Sequence, residues 1–329
     1  MSLPVPFERP RRLRSTPAMR ALVRETRVHP RQLVLPLFVH EAISEPRPIS
    51  SMPGVNQHSL DSLAIEVDKA GAAGVGGVML FAVPTERDEL GSAAFPDDGI
   101  LQRAVRAARE AGGDRVVVMS DVCLDEFTSH GHCGVLDAHG RVDNDATLLA
   151  YARMAVAQAR AGAQVLGLSG MMDGQVAAVR VALDREGFDD VALLAYAAKF
   201  ASPLYGPFRE AVDSALDGDR RTYQLDSANG RAGVSEAVLD AAEGADMVMV
   251  KPGLPYLDVL AEVAAQSLVP VASYHVSGEY SQIEAAAANG WVDRRAAHVE
   301  ATTSLVRAGA DLVFTYAALD LAGWIASEQ

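Results

Sequence analysis

Lysine is scarce in this chain of 329 residues. Of the 29 basic residues, 26 are arginine, and only Lys69, Lys199 and Lys251 are lysine. Arginine stays protonated in proteins, whereas a lysine amine can lose its proton and act as a nucleophile. Each lysine therefore needs a reason why an amine, and not a guanidinium, stands at its position.

Other absences exclude several classes of protein. Two cysteines are too few for a disulfide scaffold, and 49% hydrophobic with 22% charged residues excludes a disordered or collagen-like chain. No apolar run approaches the roughly 20 residues that cross a bilayer, and the N-terminus lacks the apolar stretch of a secretory signal. We predict a cytoplasmic protein with no membrane partner.

The net charge of −14 argues against a nucleic-acid partner, which needs a basic surface. Positive charge is concentrated in residues 1–32, which hold eight arginines and two glutamates, so they carry +6 and the remainder −20. A basic arm should be attracted to the acidic body of another copy. We expect residues 1–32 to form an N-terminal arm for subunit contacts and residues 33–329 one domain. A solvated tail and a transit peptide are the alternatives.

Eight short apolar runs recur after the arm, several of them preceded by a helical pattern that ends in Ala-Gly. Glycine ends a helix in a left-handed conformation, and a run without alternation is typical of a parallel strand buried on both faces. The predicted strands cover 33–39, 77–83, 116–122, 165–169, 191–197, 247–251, 271–276 and 312–318. Strands that alternate with helices, such as 145–161 and 174–187, predict an α/β fold, a closed (β/α)₈ TIM barrel. A doubly wound open sheet is the alternative.

The active site of such a barrel lies at the carboxyl ends of its strands. The pattern places there Asp121, Ser169, Lys199, Lys251, Ser277 and Tyr316. Two of the three lysines thus share one face at adjacent strands, in apolar surroundings that favour the neutral amine. A neutral amine attacks a ketone or aldehyde to form a Schiff base. Pairing of each lysine with a buried carboxylate is the alternative.

Both cysteines lie in one segment, DVCLDEFTSHGHCG, residues 121–134. Its thiols, carboxylates and imidazoles could surround one divalent ion, and thiolate ligands favour zinc over magnesium. A disulfide, which a reducing cytoplasm disfavours, and two unrelated buried thiols are the alternatives.

The segment after Lys199, residues 199–226, is rich in glycine, proline and aromatic residues and carries Arg209, Arg220 and Arg221. Long loops at a barrel mouth often act as lids, and arginine suits bidentate capture of a carboxylate. The segment is predicted to be a lid, with a solvated basic helix face as the alternative.

The ordered motifs of the chain resemble those of the porphobilinogen synthase (5-aminolevulinate dehydratase) family. They cover nearly the whole length: RRLRSTPAMRALVRET, LVLPLFV, SMPGV, the cysteine segment, SGMMDGQV, AKFASPLYGPFR, MVMVKPG, VSGEY and RAGADLVFTY. The resemblance implies a lyase that condenses two molecules of 5-aminolevulinate to porphobilinogen, with loss of two waters, in tetrapyrrole (heme) biosynthesis. It also implies a homo-octamer in which the basic arm embraces a neighbouring subunit.

The resemblance implies roles for single residues as well. Lys251 and Lys199 would form Schiff bases with the two substrate ketones, and Asp121 is the candidate for proton transfer. The side chains implied to hold the substrate carboxylates are Arg209 and Arg221, with Gln224 nearby, for one substrate, and Ser277 and Tyr316 for the other.

The metal site departs from the family pattern. Zinc-using members have Cys-x-Cys and a third cysteine eight residues later, whereas metal-independent or magnesium-responsive members have Asp and Ala at these positions. This chain has Cys123, Asp125 and Cys133, a hybrid that still predicts zinc held by two thiolates, one carboxylate and a water. Glu236 matches the family position for an activating magnesium. Gly170 stands where many members have Asp.

Two other functions compete with this interpretation. A class I aldolase acting on a sugar phosphate also uses a Schiff base, but it usually needs one lysine and a phosphate-binding loop, and no Gly-rich loop follows the seventh and eighth strands. A non-catalytic barrel used for binding or assembly would be favoured if either lysine or the lid arginines were missing. All of them are present.

Overall fold

The computed structural model describes residues 8–327. The first seven residues of the expected arm and the last two of the expected domain lie outside the described residues. The described strands are β1 (Leu33–His40), β2 (Arg47–Pro48), β3 (Asn56–His58), β4 (Gly77–Val83), β5 (Val117–Val122), β6 (Val165–Leu168), β7 (Ala192–Lys199), β8 (Met247–Lys251), β9 (Val271–His275) and β10 (Leu312–Thr315).

Eight of these strands form a closed parallel barrel. Their order is β1-β4-β5-β6-β7-β8-β9-β10, and β10 pairs back to β1, with Leu33 opposite Val313. The short strand β3 pairs with the end of β1, and β2 pairs antiparallel with β3. The predicted (β/α)₈ barrel is therefore confirmed, and the open sheet is wrong because the two sheet edges meet.

The described α-helices are α1 (Pro17–Leu22), α2 (Leu60–Ala72), α3 (Ile100–Gly112), α4 (Asn144–Ala161), α5 (Gln175–Arg185), α6 (Gly206–Ala211), α7 (Gly230–Ala242), α8 (Leu257–Gln266), α9 (Ser277–Ala288), α10 (Arg294–Arg307) and α11 (Ala318–Ala326). Short 3₁₀ helices cover Pro10–Arg14, Pro30–Gln32, Ser92–Ala94, Pro203–Tyr205 and Leu254–Tyr256. Within residues 8–327, no helix has the length and apolar character needed to cross a bilayer.

Glycine lies at or just after the ends of several helices, as the sequence predicts. Gly162 ends α4 with φ of 101°, and Gly244 and Gly309 have φ of 108° and 113° in the turns after α7 and α10. Only a residue without a side chain enters this left-handed region without steric cost. Each turn returns the chain to the barrel, where β1, β4 and β8 are buried almost throughout. The core thus lies inside the barrel and between the barrel and its helices.

Candidate active site

Lys199 and Lys251 are the last residues of the adjacent strands β7 and β8 and lie opposite each other in register. Their exposed fractions are 5% and 6%. The Nζ atom of Lys199 donates to the carbonyl oxygen of Ser169 at 2.5 Å. The structure therefore brings the two predicted amines together at the mouth of the barrel, buried from solvent.

Aromatic rings surround the amine of Lys251. Their centroids lie 4.3 to 5.5 Å from its Nζ atom and belong to Tyr274, Tyr196, Tyr205 and Phe208. Burial, with the charge of Lys199 as the second cause, lowers the pKa of Lys251 to about 7. A large share of Lys251 is therefore the free amine at neutral pH.

A bulge in β7 brings Tyr196 to the same side as the lysines. Ala195 pairs with Val248 and Ala198 with Val250, so β7 has one residue more than β8 between these pairs. Residues three apart point to opposite faces of a regular strand. With the extra residue, the ring centroid of Tyr196 lies 5.8 Å from the Nζ atom of Lys199 and 5.0 Å from that of Lys251.

Asp121 lies in β5, next to the strand that leads to Ser169. Its Oδ2 atom accepts a hydrogen bond from the Ser169 hydroxyl at 2.9 Å, and its Oδ1 atom has no partner among the described residues. Burial raises the pKa of Asp121 to about 7, although the charge of Lys199 opposes the shift. Ser169 therefore contacts both Asp121 and Lys199, and the carboxyl group can exchange a proton near neutral pH.

Ser277 and Tyr316 lie on the Lys251 side of the mouth. The Tyr316 hydroxyl is 3.1 Å from that of Tyr274, whose ring contacts Lys251. The Ser277 hydroxyl accepts from the backbone N–H of Phe208 at 3.0 Å and donates to the Leu204 carbonyl at 3.2 Å. Each of the two predicted carboxylate ligands is thus hydrogen-bonded to a residue whose ring contacts Lys251.

The predicted lid arginines differ in position. Arg209 is exposed on α6, and the side chain of Arg221 is 80% exposed, 3.7 Å from Asp219. The neighbouring Arg220 is 11% exposed; its Nη2 atom lies 2.8 Å from Asp125 Oδ2 and donates to the Gly131 carbonyl at 2.8 Å. Of the 220–221 pair, the arginine that lies in the site is therefore Arg220.

Gln224 lies at the end of the same segment. It is 6% exposed, and its Nε2 atom has no partner within the described part of the chain. The next residue, Leu225, donates its backbone N–H to the carbonyl of Lys199 at 3.0 Å. This hydrogen bond holds the backbone next to Gln224 close to the strand end that carries Lys199.

The hybrid cysteine site forms a compact group. One ligand atom each from Cys123, Asp125 and Cys133 lies within 4.8 Å of the others, and all three side chains are buried. The Tyr151 hydroxyl donates to the Cys133 carbonyl at 2.5 Å and lies 3.9 Å from Cys123 Sγ. Two sulfurs and one carboxylate are suitable donors for a tetrahedral zinc ion with a water as fourth ligand, so the residues fit a metal.

The surroundings of this group favour the ionised forms of Cys133 and Asp125 but not of Cys123. Burial opposes ionisation of Cys133, but the hydrogen bond from Cys123 and the charge of Arg220 outweigh it and lower the pKa of Cys133 to about 6. Burial raises the pKa of Cys123. Burial also opposes ionisation of Asp125, yet Arg220 and Lys199 together lower its pKa. One thiolate and one carboxylate are therefore available near neutral pH, and an arriving metal would have to displace the second thiol proton.

Gly170, one of the departures from the family pattern, has a steric reason. A β-carbon at this position would collide with the ring and hydroxyl of Tyr151. Since Tyr151 supports the carbonyl of Cys133, the space left by glycine is part of the cysteine site.

Glu236 lies on α7, half-buried, outside the cysteine site. Burial and the charges of Asp173 and Glu243 raise the pKa of Glu236. Burial and the charges of Glu236 and Glu243 raise the pKa of Asp240 to about 7. Among residues 8–327, only the Cys123 group gathers three such ligands closely enough to share an ion. The structure therefore places carboxylates near Glu236 without forming a three-ligand site there.

The four rings around Lys251 were not singled out from the sequence. Tyr196 and Tyr274 are tyrosines near the carboxyl ends of β7 and β8's neighbour β9. A large polar ring in a strand that ends at the barrel mouth is the feature of the sequence that could have identified them. Tyr205 and Phe208 lie in the predicted lid, whose sequence shows its aromatic content but not which side chains its rings contact.

Comparison with known proteins agrees with this geometry. A family model described as delta-aminolevulinic acid dehydratase matches residues 7–324. Proteins of that name from Mycobacterium tuberculosis and Streptomyces coelicolor are 61% and 60% identical, covering 97% and 96% of this chain and 98% and 97% of theirs. The crystal structure of the Toxoplasma gondii enzyme, in complex with the reaction product porphobilinogen, has a TM-score of 0.96 at 44% identity and covers 100% of this chain and 94% of its own. The chain therefore belongs to the delta-aminolevulinic acid dehydratase family.

Proposed function

We propose that this protein is a lyase that condenses two molecules of 5-aminolevulinate to porphobilinogen, with loss of two waters, in tetrapyrrole biosynthesis. The observation that carries this function is the pair of buried lysines, Lys199 and Lys251, facing each other at the ends of adjacent strands. Two substrate ketones require two amines, and a barrel in this family supplies both on rigid strands.

The lysines would act as nucleophiles. The neutral amine of Lys251 attacks the ketone carbon of one 5-aminolevulinate, water leaves, and the resulting iminium acidifies the adjacent carbon. Lys199 would hold the second substrate in the same way. Formation of one carbon–carbon and one carbon–nitrogen bond between the two substrates then closes the ring, while the bonds to both lysines break and their amines are regenerated; the two waters lost are those released when the Schiff bases formed. We assign proton transfer to Asp121, because its carboxyl group is buried beside Lys199 and its Oδ1 atom is free.

The substrate carboxylates would be held on two sides of the mouth. Ser277 and Tyr316 would bind the carboxylate of the substrate on Lys251, to which their aromatic neighbours connect them. Arg209 and Gln224 would bind the other carboxylate. The resemblance gave Arg221 as the second arginine, but the burial of the two side chains favours Arg220, because a closing lid would first have to turn Arg221 away from solvent.

We propose zinc as the ion of the Cys123, Asp125 and Cys133 group. The two thiols support this choice, because thiolates prefer zinc to the harder magnesium ion. When bound, zinc would supply a Lewis acid that polarises a substrate oxygen. The role of these three residues is to hold the ion beside the site, while Arg220 fixes the orientation of the Asp125 carboxylate. Magnesium bound at Glu236, remote from this site, is a second proposal, supported by the neighbouring carboxylates of Asp173 and Asp240.

We also propose a homo-octamer in which residues 1–32 form the arm and residues 33–329 the catalytic barrel. The charge of +6 on the arm and −20 on the remainder supports attraction between copies. In the described part of the arm, Leu13, Leu22 and Val23 are 52%, 75% and 43% exposed, which suits a segment that packs on a neighbour.

Trapping with borohydride tests the function. Incubation with 5-aminolevulinate and borohydride should reduce the Schiff bases and leave substrate-sized adducts on Lys251 and Lys199, located by peptide mass mapping. Lys69, whose side chain is 60% exposed and pairs with Glu66, serves as the internal control and should stay unmodified. A protein that forms porphobilinogen and carries an adduct supports the proposal. Unmodified Lys199 and Lys251 under conditions of saturating substrate would refute it, and adducts with a sugar phosphate alone would indicate an aldolase.

A further inference from the structure

The end of the lid helix α6 is held in an unusual way. This helix of six residues carries Phe208, which contacts Lys251, and Arg209. Asp213, just beyond it, has φ of 49°, a left-handed conformation that a residue with a side chain keeps only where its surroundings hold it. A helix this short has little stability of its own, so contacts with other elements must fix its position.

Arg87 provides the first of these contacts. Its guanidinium donates from Nη2 to the carbonyl of Val212 at 2.8 Å and from Nη1 to the carbonyl of Asp213. Both carbonyls follow the last turn of α6, and a cation there also interacts favourably with the negative end of the helix dipole. The planar, forked guanidinium of arginine can donate to two neighbouring carbonyls at once, whereas the ammonium group of lysine lacks this fixed geometry.

Gln57 provides the second contact. It is 2% exposed, its Nε2 atom donates to the carbonyl of Ala211 at 2.8 Å, and its Oε1 atom accepts from Arg47 Nε at 2.6 Å. Arg47 Nη2 in turn lies 2.9 Å from Asp213 Oδ2, and His40 Nε2 lies 3.4 Å from the same oxygen. Three side chains thus converge on the turn after α6.

These contacts come from the far side of the barrel. The lid leaves the barrel at the end of β7, and in the closed order of strands β7 is opposite β1. His40 ends β1, Arg47 and Gln57 lie in β2 and β3 beside it, and Arg87 follows β4. The segment therefore crosses the mouth from Ser277, which binds Leu204 and Phe208, to the side chains that hold residues 211–213.

We propose that His40, Arg47, Gln57 and Arg87 form a clasp on residues 211–213 that holds α6 across the mouth. Arg87 and Gln57 are then positioning residues: they touch no substrate, and they keep Phe208 against Lys251 and Arg209 over the second substrate. This inference rests on the proposed function, because Arg209 is assigned there to a substrate carboxylate. The lysines lie on the barrel strands, so loosening the clasp should weaken substrate binding and leave the amines reactive.

Replacement of Arg87 tests the clasp. For Arg87→Gln we expect KM for 5-aminolevulinate to rise about tenfold or more with a smaller change in kcat, since the lost contact positions a binding group. Arg87→Lys, which keeps the charge and loses the fork, should lie between this variant and the wild type. Arg103→Gln is the matched control, because Arg103 lines the same surface cavity, is 4.0 Å from Glu41 and does not contact the lid. Its KM should stay within about twofold of the wild type.

Hydrogen exchange supplies a readout that does not depend on activity. In full-length Arg87→Gln protein, the amides of residues 206–213 should exchange faster than in the wild type, while those of β7 and β8 stay unchanged. Asp213→Asn, which keeps the size of the side chain and removes its charge, gives the same comparison if Arg87→Gln does not fold. Unchanged exchange in 206–213 together with unchanged KM would overturn the clasp. If the wild type forms no porphobilinogen and no lysine adduct, the proposed function fails, and the exchange comparison still decides the clasp.

Discussion

The surroundings of Lys251 favour a neutral amine, the form that the proposed Schiff-base chemistry requires. Four aromatic rings exclude water from its Nζ atom, and a second lysine lies opposite it in register. Both effects disfavour the ammonium form, so the pKa of Lys251 falls to about 7. Of these effects, burial contributes most to the shift and the charge of Lys199 comes second.

The shifted pKa predicts how trapping depends on pH. The reactive species is the neutral amine, so the initial rate of borohydride-trapped adduct at Lys251 should rise with pH and level off above about pH 7. Mass spectrometry of the peptide that contains Lys251, after short incubations between pH 5.5 and 9, measures this rate. A rate that still rises steeply between pH 8 and 9 would mean that the amine keeps an ordinary pKa. Lys69→Met should leave the whole profile unchanged, because that side chain is exposed on α2.

Cys123 and Cys133 are the two cysteines of the chain, so the metal proposal can be tested without interference from other thiols. We expect the purified protein to bind one zinc ion per chain, and Cys133→Ser to lose most of that affinity, because serine is a poor zinc ligand at neutral pH. Metal analysis after dialysis against graded chelator concentrations measures the affinity directly. Equal zinc content in the wild type and Cys133→Ser would show that the ion is held elsewhere.

At the scale of elements, the lid and the cysteine segment are joined by the ion pair of Arg220 and Asp125. The two side chains are 11% and 6% exposed, and 95 residues separate them along the chain. A buried pair of this kind contributes little net stability when intact, but removal of one partner leaves an uncompensated buried charge. The pair therefore couples the position of the lid to that of a predicted zinc ligand.

Comparison of the two neighbouring arginines tests this coupling. Arg220→Ala should lower the free energy of unfolding by about 3–5 kcal/mol, the usual cost of breaking a buried pair. Arg221→Ala should change it by no more than about 0.5 kcal/mol, because the side chain is 80% exposed. Urea unfolding followed by circular dichroism measures both. If the two variants lose equal stability, Arg220 and Asp125 do not form the pair in solution. KM for 5-aminolevulinate in the same two variants shows whether Arg220 or Arg221 binds the substrate carboxylate, because loss of the binding arginine should raise KM.

At the scale of the whole molecule, the basic arm is the feature that the barrel does not explain. Its described part includes a 3₁₀ helix and α1, neither of which has a buried residue. An exposed segment with apolar side chains and eight arginines suits a contact with an acidic neighbour.

Deletion of residues 1–32 should therefore reduce the assembly. We expect the full chain to sediment as an octamer at moderate salt, with smaller species at high salt because screening weakens the attraction between charges. The deletion variant should sediment as a smaller oligomer under every condition, with the circular dichroism of an intact barrel. Full-length chain that sediments only as a monomer at high concentration would contradict the proposal.

Much of the architecture is determined by the sequence itself. Apolar runs that recur once in each helix–strand unit specify eight strands, and glycine after several of the helices specifies where the chain returns to the barrel. Because all strands of a barrel run parallel, the residues near the carboxyl ends of the strands lie on one face, so the sequence alone predicts that Asp121, Lys199 and Lys251 share the mouth.

Only the tertiary structure decided which side chains meet at that face. The bulge in β7 turns Tyr196 toward the lysines, and a register shift of one residue has no signature in hydrophobic periodicity. Likewise Arg220 and Arg221 are equivalent in sequence, and a contact with Asp125, far along the chain, determines which of them is buried. Strand positions follow from local pattern, whereas the direction of a side chain in a loop depends on partners that only the folded chain brings near.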